Sequence, residues 1–273
     1  MKYLFFDIDG TLLSHEEGIS QSTIKALELA KENGHKIYIC TGRSYAEIPE
    51  KLKEFGFDGI IAAAGGYVEV GDEVILNKVM SDEAADNLMY FLSTLNIPFI
   101  LEGTEEIYSN SGLRKDFSDK LKAAEELMLE SQYEHAAYHY GIPGPKSLEE
   151  YFENRTPISK LTVYAENKEQ LIEMKKHIDK DFDLINYGVN GEIVAKGVNK
   201  YTGIEEVLKY CKASQEDTFA FGDSLNDYDM IHSANIGVAM GNASDPVKEV
   251  SDYITTNVED DGIYNALKHF DLI

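Results

Sequence analysis

Apolar residues fall into two textures along this chain, and the two alternate in blocks. Tyr3–Ile8 is a short apolar run stopped by Asp9-Gly10, the pattern of a buried parallel strand that ends in a loop. From Ser20 to Asn33 the period becomes helical, with Ile24, Leu27 and Ala30 on one face and Gly34 where a C-cap belongs. Lys36–Cys40 predicts the next strand, followed by Thr41-Gly42-Arg43 and a helix to about Phe55. Gly59–Ala63 predicts a third strand, and Val68–Val70 with Val74–Leu76, joined through Gly71-Asp72, a hairpin. Strands and helices alternating at this spacing predict an α/β fold with a parallel sheet.

The texture changes near Ser81. A helix over about Asp82–Leu95 leads to strands near Phe99–Leu101 and Glu106–Tyr108, then to a charged helical stretch at about Arg114–Glu130. An irregular segment rich in tyrosine, histidine and proline follows, then a strand at Ser159–Ala165, a helix at Lys168–Lys180 and a strand at Phe182–Tyr187. The α/β texture returns after Gly191: Asn199 can cap a helix carrying Ile204, Val207, Leu208 and Cys211 on one stripe. Thr218–Phe221 and Ile236–Met240 predict further strands, and Gly262–Phe270 the last helix. The simplest organisation is a discontinuous core, residues 1–81 and 189–273, with an α+β domain inserted at 82–188.

Charge narrows the partners. Twenty-five basic residues against 49 acidic leave a formal charge of −24, which repels phosphate backbones and argues against nucleic acid as a partner. A small anionic substrate would meet the same repulsion unless a divalent cation or a placed Lys or Arg offset it. Cys40 and Cys211 stand apart from any CxxC or Cys/His cluster, so neither a disulfide framework nor a zinc site is expected. No run approaches the ~18 apolar residues of a membrane span. The expected location is the cytoplasm, with no membrane partner; oligomeric state is not legible.

Ligands of parallel α/β sheets bind beyond the carboxyl ends of the strands. Four polar clusters fall there: Asp7 and Asp9, Thr41-Gly42-Arg43, Lys196 and Lys200 near a helix start, and Asp223 with Asn226 and Asp227. Carboxylate oxygens suit Mg²⁺, and a lysine and a threonine hydroxyl supply donors for phosphoryl oxygens. Of the paired acids Asp7 and Asp9, one can attack phosphorus while the other protonates the leaving oxygen. A strand-end turn alone would also favour Asp and Gly, but a charge ending a buried apolar run needs a partner. Asp229, also near the helix start, can be a plain surface residue.

FFDIDGTLL, CTGR, the GVNK of VAKGVNK, and GDSLND resemble, in order, the four motifs of the haloacid dehalogenase (HAD) superfamily. The insertion between the second and third makes the chain similar to the Cof-type sugar-phosphate phosphatases. That resemblance implies a Rossmann-like parallel-sheet core with an inserted α+β cap of type IIB, and an Mg²⁺-dependent phosphatase acting on a small phosphorylated metabolite of the sugar-phosphate class. It implies Asp7 as the nucleophile that becomes an aspartyl-phosphate, and Asp9 as the general acid/base. It gives Thr41, Gly42, Lys200 and Asn226 to phosphate, and Asp7, Asp9, Asp223 and Asp227 to the metal. Two positions depart from the pattern: Ala64 stands where the family usually has Asn, and Tyr201 where it has Gly. Lys196 rivals Lys200 for the third motif, whose GVxK spacing favours Lys200. A phosphomutase with the same chemistry is the alternative enzyme, and a phospho-accepting regulatory module the alternative class. Glu102, Arg114, Lys115, His135, His139, Tyr140 and Arg155 are the polar candidates for selecting the substrate.

Overall fold

The computed structural model describes residues 1–14, 18–109, 145–178 and 180–273. These form two compact units: residues 1–42, 56–76 and 199–273 in the larger, and 43–55 with 77–198 in the smaller.

The larger unit carries β1 (Tyr3–Phe6), β2 (Lys36–Cys40), β3 (Gly59–Ala62), β4 (Tyr67–Val70) and β5 (Glu73–Asn77). In the smaller unit lie β6 (Phe99–Gly103), β7 (Ile107–Ser109), β8 (Lys146–Ser147), β9 (Ile158–Tyr164), β10 (Phe182–Asn186) and β11 (Asn190–Ala195). β12 (Thr218–Gly222), β13 (Ile236–Ala239) and β14 (Tyr253–Ile254) return to the larger unit.

The larger sheet runs β14-β13-β12-β1-β2-β3-β4-β5. β14 through β3 are parallel, and β4 turns back antiparallel on β3. β1, β3 and β12 are buried throughout, so they read as continuous apolar runs rather than alternating ones. Phe5, Tyr38, Cys40, Ile61 and Ala220 from the strands pack with Ile204, Val207, Met230 and Ile231 from helices Lys200–Cys211 and Tyr228–Ser233. Burial pushes the Cys40 thiol well above its usual value, which makes it an inert core residue.

The smaller sheet runs β10-β11-β9-β6-β7-β8 and is antiparallel apart from the short β7–β8 pair. Alternation divides its faces. Phe99, Leu101, Leu161, Val163 and Ile193 pack on Leu88, Met89, Leu171 and Met174 of helices Asp82–Thr94 and Lys168–Ile178. The opposite positions include Glu102, Lys160, Thr162 and Glu192.

Three expectations change. The single helix expected after Thr41-Gly42-Arg43, to about Phe55, is instead a 3₁₀ turn, Tyr45–Glu47, and a one-turn helix, Glu50–Lys53. Pro49 is the cause, because it drives the preceding Ile48 into extended backbone at ψ 124°. The core does not resume at residue 189: β11 pairs with β9 and β10 of the smaller sheet, and the larger unit resumes at Asn199. The texture after Gly191 is that of an edge-to-centre antiparallel strand, which local sequence does not distinguish from a parallel one. Third, residues 43–55 group with the smaller unit, away from the 1–81 segment. The stretches expected as a helix at 114–130 and as an irregular segment beyond it fall largely outside the described residues.

Candidate active site

The register of three strands brings the motifs together. Phe6 lies opposite Phe221 in the parallel β1–β12 pair, and the Asp7 N–H donates to the Phe221 carbonyl at 3.0 Å. Asp7 therefore leaves β1 beside Gly222-Asp223. On the other side β2 ends at Cys40; the Thr41 N–H donates to Ile61 and its carbonyl accepts from Ala64. Both Thr41 and Gly42 are buried. Beyond Asp7 the chain turns: Gly10 has φ +76°, and the Leu12 and Leu13 N–H groups donate back to the Ile8 carbonyl. Gly10 must be glycine here, since a Cβ would stand 2.3 Å from Asp223 Oδ2.

Lys200 opens its helix behind the N-cap Asn199. The helix start is seated against Ala63-Ala64-Gly65, three residues with φ of +49°, +53° and +103°. A Cβ on Gly65 would stand 2.0 Å from the Asn199 carbonyl oxygen. From that seat the Lys200 ammonium, wholly buried, donates to Asp7 Oδ1 at 2.6 Å and to Asp227 Oδ1. Burial pulls Lys200 down, but Asp227 and Asp7 outweigh it and hold the ammonium above its ordinary value.

Asp227 is tied on both oxygens, because its Oδ2 accepts the backbone N–H groups of Asp223 and Ser224 at 2.9 Å each. Asp223 differs: its Oδ1 is buried without a hydrogen-bond partner. Burial, then Asp227 and Asp7, push the Asp223 carboxyl up to about 9. Burial and Asp227 likewise push Asp7 up to about 8, against the opposing pull of Lys200. One oxygen from each of Asp7, Asp223 and Asp227 lies within 4.8 Å of the others. Three converging carboxylates, one with an orphaned buried oxygen and two held toward their neutral forms, fit a small hard divalent cation.

Asp9 is partly exposed and close enough to raise both Asp7 and Asp223. Asn226 stays in the same turn, its Oδ1 accepting from Ser224 Oγ at 2.6 Å. Asp229 is exposed on the following helix. Lys196 belongs to the smaller unit and pairs with Asp183. Lys200, not Lys196, is thus the lysine at the carboxylates.

Sequence reasoning passed over Asn242. Its Nδ2 donates to the Gly10 carbonyl at 2.9 Å and reaches Asp223 Oδ2 at 3.4 Å. The available signal was positional, since Gly241-Asn242 also follows the carboxyl end of a parallel strand. In the smaller unit, Glu102 is buried with Lys160, which sequence reasoning also missed; Lys160 Nζ lies 2.8 Å from Glu102 Oε2 and pairs with Glu192 as well. Arg155 is a half-exposed partner of Asp86. Arg114, Lys115, His135, His139 and Tyr140 lie outside the described residues.

Fold and site define a class: an α/β enzyme with a carboxylate–ammonium centre at the ends of its parallel strands. Residues 4–267 match the family of haloacid dehalogenase-like hydrolases. The chain belongs to that family and is an enzyme, a HAD-type phosphatase. It is 28% identical to the Bacillus subtilis protein YkrA, over 100% of this chain and 98% of that one. With the B. subtilis 5-amino-6-(5-phospho-D-ribitylamino)uracil phosphatase YcsE it shares 29% identity over 99% of this chain and 96% of the other. The structure of the subclass IIB sugar phosphatase BT4131 superposes with a TM-score of 0.82 and 32% identity, covering all of both chains. No helix among the described residues is long and apolar enough to cross a membrane.

Proposed function

We propose that this enzyme is an Mg²⁺-dependent phosphomonoester hydrolase of small phosphorylated metabolites, with sugar phosphates as the leading class. One observation carries the reading: the buried Lys200 ammonium bridges Asp7 and Asp227 beside the orphaned Asp223 oxygen. The substrates for which YcsE and BT4131 are named, a phosphorylated ribityl compound and sugar phosphates, support the substrate class. Phosphoryl chemistry is assigned to the larger unit and choice of substrate to the smaller; the enzyme is assigned to the cytoplasm.

In this mechanism an Asp7 carboxylate oxygen forms a bond to phosphorus as the phosphorus–oxygen bond to the leaving group breaks. Asp9, as the acid, gives its proton to the departing alkoxide. Asp9 then takes a proton from water, whose oxygen attacks the same phosphorus and releases Asp7 and inorganic phosphate. Lys200 and the Thr41 hydroxyl donate to the phosphoryl oxygens, and Gly42 and Asn226 line the same place. Asp7, Asp223, Asp227 and the Asp9 backbone carbonyl would hold Mg²⁺, which offsets charge repulsion between carboxylate and phosphate. It would also favour the ionised form of Asp7 that the buried site otherwise disfavours.

The test is a phosphate-release screen over sugar phosphates, nucleotides and cofactor phosphates, with Mg²⁺ and with EDTA, using Asp7→Asn as control. Turnover should need both the cation and Asp7. Activity retained by Asp7→Asn would overturn the nucleophile, and isomerised sugar phosphate without free phosphate would make the enzyme a mutase.

A further inference from the structure

The loop after β13 contributes a residue to the cation site that none of the four motifs contains. Asn242 faces three segments at once. Its Oδ1 accepts the Val258 N–H at 3.0 Å, and its Nδ2 donates to the Gly10 carbonyl at 2.9 Å while lying 3.4 Å from Asp223 Oδ2. The orientation of the amide is decided by chemistry, because the Val258 N–H can only donate and the Gly10 carbonyl can only accept. A flipped amide would set donor against donor and acceptor against acceptor. The loop itself is anchored: the Met240 N–H donates to Gly222 and the Gly241 N–H to Thr256, each at 3.0 Å.

Among the described residues, Asn242 is the one hydrogen-bond donor to the Asp223 carboxylate, whose other oxygen has none. The same oxygen, Asp223 Oδ2, meets Gly10, where a Cβ would stand 2.3 Å from it. Gly10 and Asn242 therefore meet the carboxylate at one oxygen, and Asn242 also fixes the Gly10 carbonyl. One side chain sets the spacing between Asp223 and the turn that carries Asp7 and Asp9.

We propose that Asn242 is a positioning residue for the divalent cation, holding Asp223 and the Asp7–Gly10 turn at ligating distance. The proposal rests on the metal assignment made above. Partners that orient metal ligands commonly change metal affinity by about 10- to 100-fold when removed, and Asn242 acts on two segments together.

The experiment reads binding of Mn²⁺ directly, by electron paramagnetic resonance on metal-stripped protein, in wild type, Asn242→Ala and Ser14→Ala. Ser14 ties the same turn to Glu259 through its hydroxyl at 2.7 Å, so it controls for simple loosening of the loop. Asn242→Ala should weaken Mn²⁺ binding about 10- to 100-fold, and Ser14→Ala should leave it within about twofold. In turnover assays the half-saturating Mg²⁺ concentration should rise by the same factor, with kcat at saturating Mg²⁺ and the substrate KM nearly unchanged. Urea midpoints in EDTA report folding separately. Unchanged Mn²⁺ affinity in Asn242→Ala overturns the proposal, as does equal weakening by Ser14→Ala. Failure of the wild type to bind Mn²⁺ overturns the metal assignment itself, and this inference with it.

Discussion

Replacing Asp7 by asparagine should stabilise the metal-free protein at neutral and alkaline pH while removing the proposed nucleophile. The side chain is buried, faces Asp227 and Asp223, and has its carboxyl pushed up from 3.8 to about 8. A raised carboxyl binds its proton more tightly in the folded than in the unfolded state. The associated stability is therefore full below pH ~4 and is lost as pH rises through about 8. At ~1.4 kcal/mol per unit, a shift of about four units sets a ceiling of ~6 kcal/mol. Relaxation of the site and the high effective dielectric of real interiors reduce that to ~2–3 kcal/mol at pH 8. Asparagine keeps an oxygen that can accept from Lys200, whose other partner Asp227 remains, so little is lost in exchange. Urea denaturation in EDTA at pH 4.5 and pH 8 measures this. With a slope of ~2–3 kcal/mol per molar urea, the asparagine midpoint should lie ~1 M higher at pH 8 and nearly coincide with wild type at pH 4.5. Adding Mg²⁺ should close the gap, because ligand at ~100 times its Kd stabilises by ~2.7 kcal/mol the form that binds it. An asparagine variant no more stable than wild type in EDTA at pH 8 refutes the reasoning, as does a gap that ignores pH.

Two further outcomes follow from packing and charge. Gly65→Ala places a Cβ where the Asn199 carbonyl now is, at φ +103°; it should cost more than ~2 kcal/mol in urea. By shifting the start of the Lys200 helix it should also lower kcat by ~10²-fold, the scale of an ångström misplacement. Lys160→Met removes the cation that, among the described residues, pairs with buried Glu102 and with Glu192, where burial and Glu47 hold Glu102 well above the carboxylate range. It should cost ~3–5 kcal/mol, seen as faster amide exchange in residues 158–164 with residues 3–6 unaffected. Replacing Glu102 and Glu192 by leucine in the same chain should recover most of the loss.

Local pattern was sufficient where the physics is local. A buried parallel strand must be apolar along its length and must end in a turn, so Tyr3–Phe6, Lys36–Cys40 and Thr218–Gly222 were legible together with the polar residues just past them. That is why Asp7, Thr41, Asp223 and Asp227 could be named from sequence. Whatever depends on which segments meet was not legible in this way. Lys196 and Lys200 are both lysines near a helix start; only the docking of Asn199 onto Gly65 buries Lys200 against Asp7 and leaves Lys196 with Asp183. β11 has the composition of a core strand, yet it joins the smaller sheet because strand partners are chosen across long separations. Asn242 carries only a positional signal, its place past the carboxyl end of β13. The role proposed for it depends on the fold bringing a turn 232 residues away in sequence within hydrogen-bond reach. The sequence by itself determined the chemistry available at the strand ends; the tertiary structure decided which carboxylates converge, which lysine answers them, and which asparagine meets Asp223.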